Sequence, residues 1–89
     1  MAWSIELSGL ARKQLKAMDR PQAQRILDYL YQRVALLDDP RSIGDALHGP
    51  RLGNYWKYRV GEYRVIAQID DGRLRILVLR VGNRREVYR

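Results

Sequence analysis

The sequence has no cysteine, so neither a disulfide framework nor a cysteine-ligated zinc site can hold the fold together. No apolar run is longer than that of residues 76–79, which is far short of the roughly 20 residues that a membrane-spanning helix needs. The opening Met1-Ala2-Trp3-Ser4 lacks the basic region followed by an apolar stretch that marks a leader peptide. A soluble, unprocessed, cytoplasmic chain with no membrane contact is the expectation. Only one histidine is present, His48, which excludes an acid and base pair of histidines. Within Leu47-His48-Gly49-Pro50 it reads as a loop residue. Repeats, linkers and low-complexity tracts are also missing, and 46% hydrophobic with 30% charged residues describes a chain that folds. Its 89 residues make a single domain, 1–89, small enough to leave much surface outside any core.

Acid is scarce relative to base. Seventeen Lys and Arg stand against ten Asp and Glu, a net charge of +7. Residues 1–50 are nearly balanced, with seven bases and six acids, whereas residues 51–89 hold ten bases and four acids. A solubilising surface has no reason to be so lopsided, so the excess points to a polyanionic partner, nucleic acid first.

Residues 2–7 alternate, with Trp3, Ile5 and Leu7 on one face, which predicts a half-buried strand. Ser8 stands where an N-cap belongs, and Leu7, Ala11, Leu15 and Met18 follow as one stripe of a short helix, with Arg12, Lys13 and Lys16 off it. Asp19-Arg20-Pro21 restarts the pattern. Ala23, Ile26, Leu27, Leu30, Val34 and Leu37 then recur at helical spacing until Asp38-Asp39-Pro40 stops them. Glycine and proline mark residues 41–54 as a loop, with a helical turn expected around residues 43–47. After residue 54 the period becomes two, predicting strands over 55–60, 62–69 and 73–81, reversed at Gly61 and at Asp71-Gly72. The expected fold is α+β, in the order β-α-α-β-β-β, with a helical hairpin on one face of a small, mainly antiparallel sheet that the first strand can join.

For a nucleic-acid substrate the side chains narrow the chemistry. A metal-dependent nuclease needs converging carboxylates. The C-terminal part offers only Glu62, Asp70, Asp71 and Glu86, and the middle two diverge at a turn, so no metal and no other cofactor is expected. What is left is a cationic sheet with tyrosines. Alternation puts Lys57 and Arg59 on the face opposite Trp56, Tyr58 and Val60, and the hairpin brings Arg64 close to both. An ordinary solvated face satisfies this geometry, but three clustered cations repel one another, which favours an anion between them. RNA can be cut without metal by its own 2′-hydroxyl, given a base, cationic stabilisation and a proton for the leaving oxygen. Tyr88 could serve as base if Arg84, Arg85 and Arg89 favour its phenolate. On charge and spacing alone it reads first as a terminal packing residue.

Two blocks carry a resemblance: Gly53-Asn54-Tyr55-Trp56-Lys57-Tyr58-Arg59-Val60-Gly61-Glu62-Tyr63-Arg64-Val65-Ile66 and Val81-Gly82-Asn83-Arg84-Arg85-Glu86-Val87-Tyr88. In this order and spacing they resemble the RelE/ParE toxin superfamily over essentially the full length. The RelE-type branch implies a ribosome-dependent mRNA endonuclease that cuts the codon in the A site and is neutralised by a co-produced antitoxin. On that resemblance Lys57, Arg59 and Arg64 would hold the scissile phosphate, Arg84 would assist after the last strand, and Tyr88 would be the base. Arg51, Arg85, Arg89 and Lys13 are the further expected RNA contacts, mRNA and ribosomal RNA being the nucleic-acid partners. Asn83 departs from the histidine or lysine that many relatives carry. The alternative within the superfamily is a ParE-like toxin that inhibits DNA gyrase and needs neither Arg84 nor Tyr88.

Overall fold

The computed structural model describes residues 2–47 and 55–83. The chain runs β1 (Ser4–Leu7), α1 (Gly9–Ala17), α2 (Arg20–Gln32), β2 (Asp45–Ala46), β3 (Tyr55–Val60), β4 (Tyr63–Asp70) and β5 (Arg75–Asn83). The expected α+β class and element order hold, with β2 added. The sheet has five strands in the order β1-β5-β4-β3-β2. Strand β1 pairs parallel to β5, and every other pair is antiparallel.

One face of this sheet is apolar by alternation. Tyr58, Val60, Val65, Ala67, Ile69, Ile76, Val78 and Val81 turn inward onto Ala11 and Leu15 of α1 and Ile26 and Leu30 of α2. Each fully buried aliphatic side chain contributes about 1.5–3 kcal/mol. Tyr58 is also wholly enclosed, and its hydroxyl donates to the Pro40 carbonyl at 2.7 Å. Burial pushes the Tyr58 phenol far above its usual range, so it stays neutral and keeps that bond. Ser8 caps α1 as expected, accepting from the Ala11 N–H at 3.0 Å, while its own hydroxyl donates to the Leu79 carbonyl at 2.8 Å. One small side chain thus starts the helix and fastens it to β5.

Four local expectations are corrected. Helix α2 ends at Gln32, not at Leu37. Arg33 leaves helical geometry at φ −121°, and a 3₁₀ turn over Val34–Leu36 follows, which lets the Ala35 carbonyl accept from the Trp3 N–H at 2.7 Å. Residues 43–47 hold a strand, β2, where a helical turn was expected. Gly44, at φ +84°, brings the chain against β3, and Trp56 Nε1 donates to the Ile43 carbonyl at 2.7 Å. Pairing along the exposed edge of β3 satisfies more backbone groups than one isolated helical turn would. The Asp71-Gly72 reversal occurs, but through a 3₁₀ turn over Asp71–Arg73, and Leu74 takes the left-handed conformation in place of glycine. Leu74 packs against the core, which offsets the strain.

The fourth correction concerns the last strand, which is shifted to Arg75–Asn83 and bulged. Ile66 pairs with Arg80 but Ala67 with Val78, so Leu79 is unpaired. The Val81 N–H is taken up by Gln14 Oε1 of α1 at 2.7 Å. Because one extra residue inverts the alternation, Val81 enters the core and Arg80 emerges on the opposite face.

Candidate nucleic-acid interface

The face of the sheet turned away from the helices is built in rows by the strand register. Arg59 of β3 lies directly opposite Arg64 of β4, and Arg64 opposite Gly82 of β5. In the next row Asp45, Lys57, Ile66 and Arg80 follow one another across four strands. Directly paired residues share a face, so Lys57, Arg59 and Arg64 do come together as the alternation predicts. Asp45 is the only acid among these two rows. Arg59 is exposed, whereas Arg64 is only 8% exposed and its guanidinium donates at 3.3 Å to the Tyr63 carbonyl. None of the ion pairs among the described residues involves Arg59 or Arg64.

Lys57, Arg59 and Arg64 line a cleft of about 350 Å³ with Gly44, Asp45, Tyr29 and Tyr58. Gly44 is required there: a side chain would collide with the Lys57 carbonyl oxygen and stand 2.6 Å from Trp56 Nε1. Tyr29 meets the Tyr58 ring edge to face at 6.3 Å, and Arg33 lies over Tyr29 at 5.7 Å. Burial raises the Tyr29 phenol above its ordinary value, against the smaller opposing pull of Arg33, so it remains a neutral hydrogen-bonding group near neutral pH.

Arg80 was not among the expected site residues. Counting alternation from Ile76 and Val78 puts it in the core, and only the bulge carries it out to the row of Lys57. A charged residue at an inward position was the available signal. Lys13 is exposed on α1, in the helical layer on the other side of the sheet, so it is not part of this cationic face. Arg51, Arg84, Arg85, Tyr88 and Arg89 lie outside the described residues, as does His48. Strand β5 runs to Asn83, opposite Tyr63 and one register position beyond Gly82, the partner of Arg64.

Among the described residues no group of three His, Cys, Asp or Glu side chains could hold a metal ion. No helix of the described residues is long and apolar enough to cross a membrane. The guanidinium and ammonium groups of this face suit recognition of an anion.

Residues 5–88 match the family described as ParE toxin of type II toxin-antitoxin system, parDE. The chain is 25% identical over 87 residues to Toxin RelE of Mycobacterium tuberculosis, which covers 98% of this chain and 87% of that protein. Among solved structures, the RelBE2 toxin-antitoxin complex of the same organism superimposes with a TM-score of 0.84 at 21% identity, over 94% of this chain and 93% of that one. The archaeal RelE-RelB complex from Pyrococcus horikoshii gives 0.74 at 21% identity, over 97% and 99%. These two share the fold.

Proposed function

Since the chain belongs to the ParE toxin family of type II toxin-antitoxin systems, within the RelE/ParE superfamily, we propose that it is a metal-independent endoribonuclease that cuts mRNA on the ribosome. The observation that carries this reading is the cross-strand pair Arg59–Arg64, with Lys57 and Arg80 in the neighbouring row and, among the described residues, no ion-pairing carboxylate on either arginine. Like charges directly opposite one another destabilise a sheet. Their retention is accounted for by an anion that they bind together.

In the proposed reaction Lys57, Arg59 and Arg64 hold the scissile phosphate and stabilise the charge that builds on it. Tyr88, as phenolate, removes the proton of the adjacent 2′-hydroxyl. Its oxygen forms a bond to phosphorus while the bond from phosphorus to the 5′ oxygen of the next nucleotide breaks. The products are a 2′,3′-cyclic phosphate and a 5′-hydroxyl end, whose proton comes from the protonated tyrosine or from solvent beside Arg84. Arg85, Arg89 and Arg51 extend the RNA contact, and Lys13 contacts ribosomal RNA from the helical side. The partner that silences the toxin is a cognate antitoxin, as in the RelE-RelB complexes, and the setting is the cytoplasm.

Mapping message 5′ ends after induction tests the reading. Discrete new 5′ ends within codons are expected, and Tyr88→Phe should abolish both these ends and growth arrest while antitoxin capture persists. Growth arrest by Tyr88→Phe at the wild-type level would sink the assignment. A second reading, a gyrase-inhibiting toxin without RNase activity, has the ParE description of the family in its favour. It predicts loss of supercoiling activity in vitro and intact ribosome-bound message.

A further inference from the structure

The cationic rows occupy only one end of the outward face. Continuing along the strands, the next row is Tyr55, Gln68 and Leu77, and beyond it Asp70 stands opposite Arg75. Over these residues lies a second cleft, of about 540 Å³, lined also by Arg41 and Asp71. That volume is within the range of small-ligand sites, about 300–1,000 Å³.

Its charges are already neutralised from within. Arg41 forks onto Asp71 at 3.0 and 2.9 Å, and its guanidinium holds the Asp71 carboxyl below the usual range. Arg75 reaches Glu6 at 3.1 Å and Asp70 at 3.6 Å, and Arg73 reaches Asp70 at 3.9 Å. The Arg75 Nε is buried and has no hydrogen-bond partner among the described residues. The surface left to a ligand is the half-buried Tyr55 ring, the exposed Gln68 amide and the half-buried Leu77. An aromatic face, a bidentate amide and an apolar floor suit a planar heteroaromatic ring and have little to offer a phosphate. The rows above have the opposite character. Successive rows are two residues apart along each strand, about 6.6 Å, so one bound nucleotide can span the boundary between them.

We propose that the Tyr55–Gln68–Arg75 cleft is a nucleobase pocket that selects the nucleotide next to the phosphate held by Lys57, Arg59 and Arg64. The proposal rests on the reading of this face as an RNA site. It makes Gln68 the residue that discriminates among bases, by its amide, and Tyr55 the platform on which the base stacks.

The test measures binding of the four homotrinucleotides of A, C, G and U to the full chain, titrated by tryptophan fluorescence, with Trp56 lining the cleft and Trp3 buried in the core. Wild-type protein should prefer one base over the weakest by about tenfold or more, the discrimination of a good amide contact. Gln68→Leu, at an exposed position, should compress that preference to less than about threefold. Tyr55→Leu should weaken all four. Affinities that are equal across bases in wild-type protein, or a preference that survives Gln68→Leu, would overturn the pocket. Message cutting is scored separately. If no cut ends appear but the base preference exists and depends on Gln68, the nuclease reading falls while the pocket stands. If cutting occurs and its sequence context is identical in wild type and Gln68→Leu, the pocket falls while the nuclease reading stands.

Discussion

Neutralising Arg59 should make the protein more stable. Arg59 and Arg64 occupy directly paired positions, and Lys57 precedes Arg59 by two on the same face. Two unit charges about 8 Å apart repel by about 0.5 kcal/mol in bulk water and about 2 kcal/mol at an effective dielectric constant of about 20. Arg64 is largely buried and Arg59 exposed, so the pair falls between these limits, near 1 kcal/mol. In a domain of this size about 1 kcal/mol moves the melting temperature by about 4–8 °C. Arg59→Gln should therefore raise Tm by that amount in low salt, measured by circular dichroism. The gain should largely vanish at 1 M salt, where the screening length falls to about 3 Å. Added phosphate should raise the Tm of wild-type protein more than that of the variant. RNA affinity should drop, with a salt dependence shallower by about one phosphate contact. An unchanged or lower Tm in low salt would refute the reasoning, as would a gain of the same size at 1 M salt.

Three further perturbations follow from the scaffold. Ser8→Ala removes both the cap on the Ala11 N–H and the bond to the Leu79 carbonyl, and should cost about 1–2 kcal/mol by denaturant titration. Gly44→Ala meets a positive φ and a collision with the Lys57 carbonyl, so it should destabilise by at least about 1 kcal/mol and disturb the backbone amide signals of Lys57 and Tyr58 in an NMR spectrum. Tyr58→Phe leaves the Pro40 carbonyl without its buried donor, a loss of about 1–3 kcal/mol at neutral pH. The same phenol is raised in the folded state, so the folded chain holds its proton where the unfolded chain has released it. Stability should thus fall as pH rises above about 10, by up to about 1.4 kcal/mol per pH unit, and this slope should be shallower in Tyr58→Phe.

Much of this could be read along the chain because it depends on local periodicity. The alternation of residues 55–60 separates Tyr58 and Val60 from Lys57 and Arg59 whatever the rest of the fold does. Ser8 before an apolar stripe is a helix start by its own chemistry. The end of α2 was less legible, since Val34 and Leu37 keep helical spacing while the backbone at Arg33 turns to meet Trp3. Likewise β2 exists only because β3 has an edge to pair, which no property of residues 43–47 announces.

For the candidate site, then, residue type and a period of two determined which cations share a face, since side-chain direction in a strand is a local property. The charge excess of residues 51–89 is also a property of sequence alone. Tertiary structure decided the rest. The pairing register set Arg59 directly against Arg64, the bulge at Leu79 turned Arg80 out into the row of Lys57, and ion pairs of Arg41, Arg73 and Arg75 with Glu6, Asp70 and Asp71 balanced the charges around the neighbouring cleft. The bulge and the Arg41–Asp71 and Glu6–Arg75 pairs join residues far apart in the chain, and such pairings are fixed by what the whole sheet can bury and bond, not by any one segment.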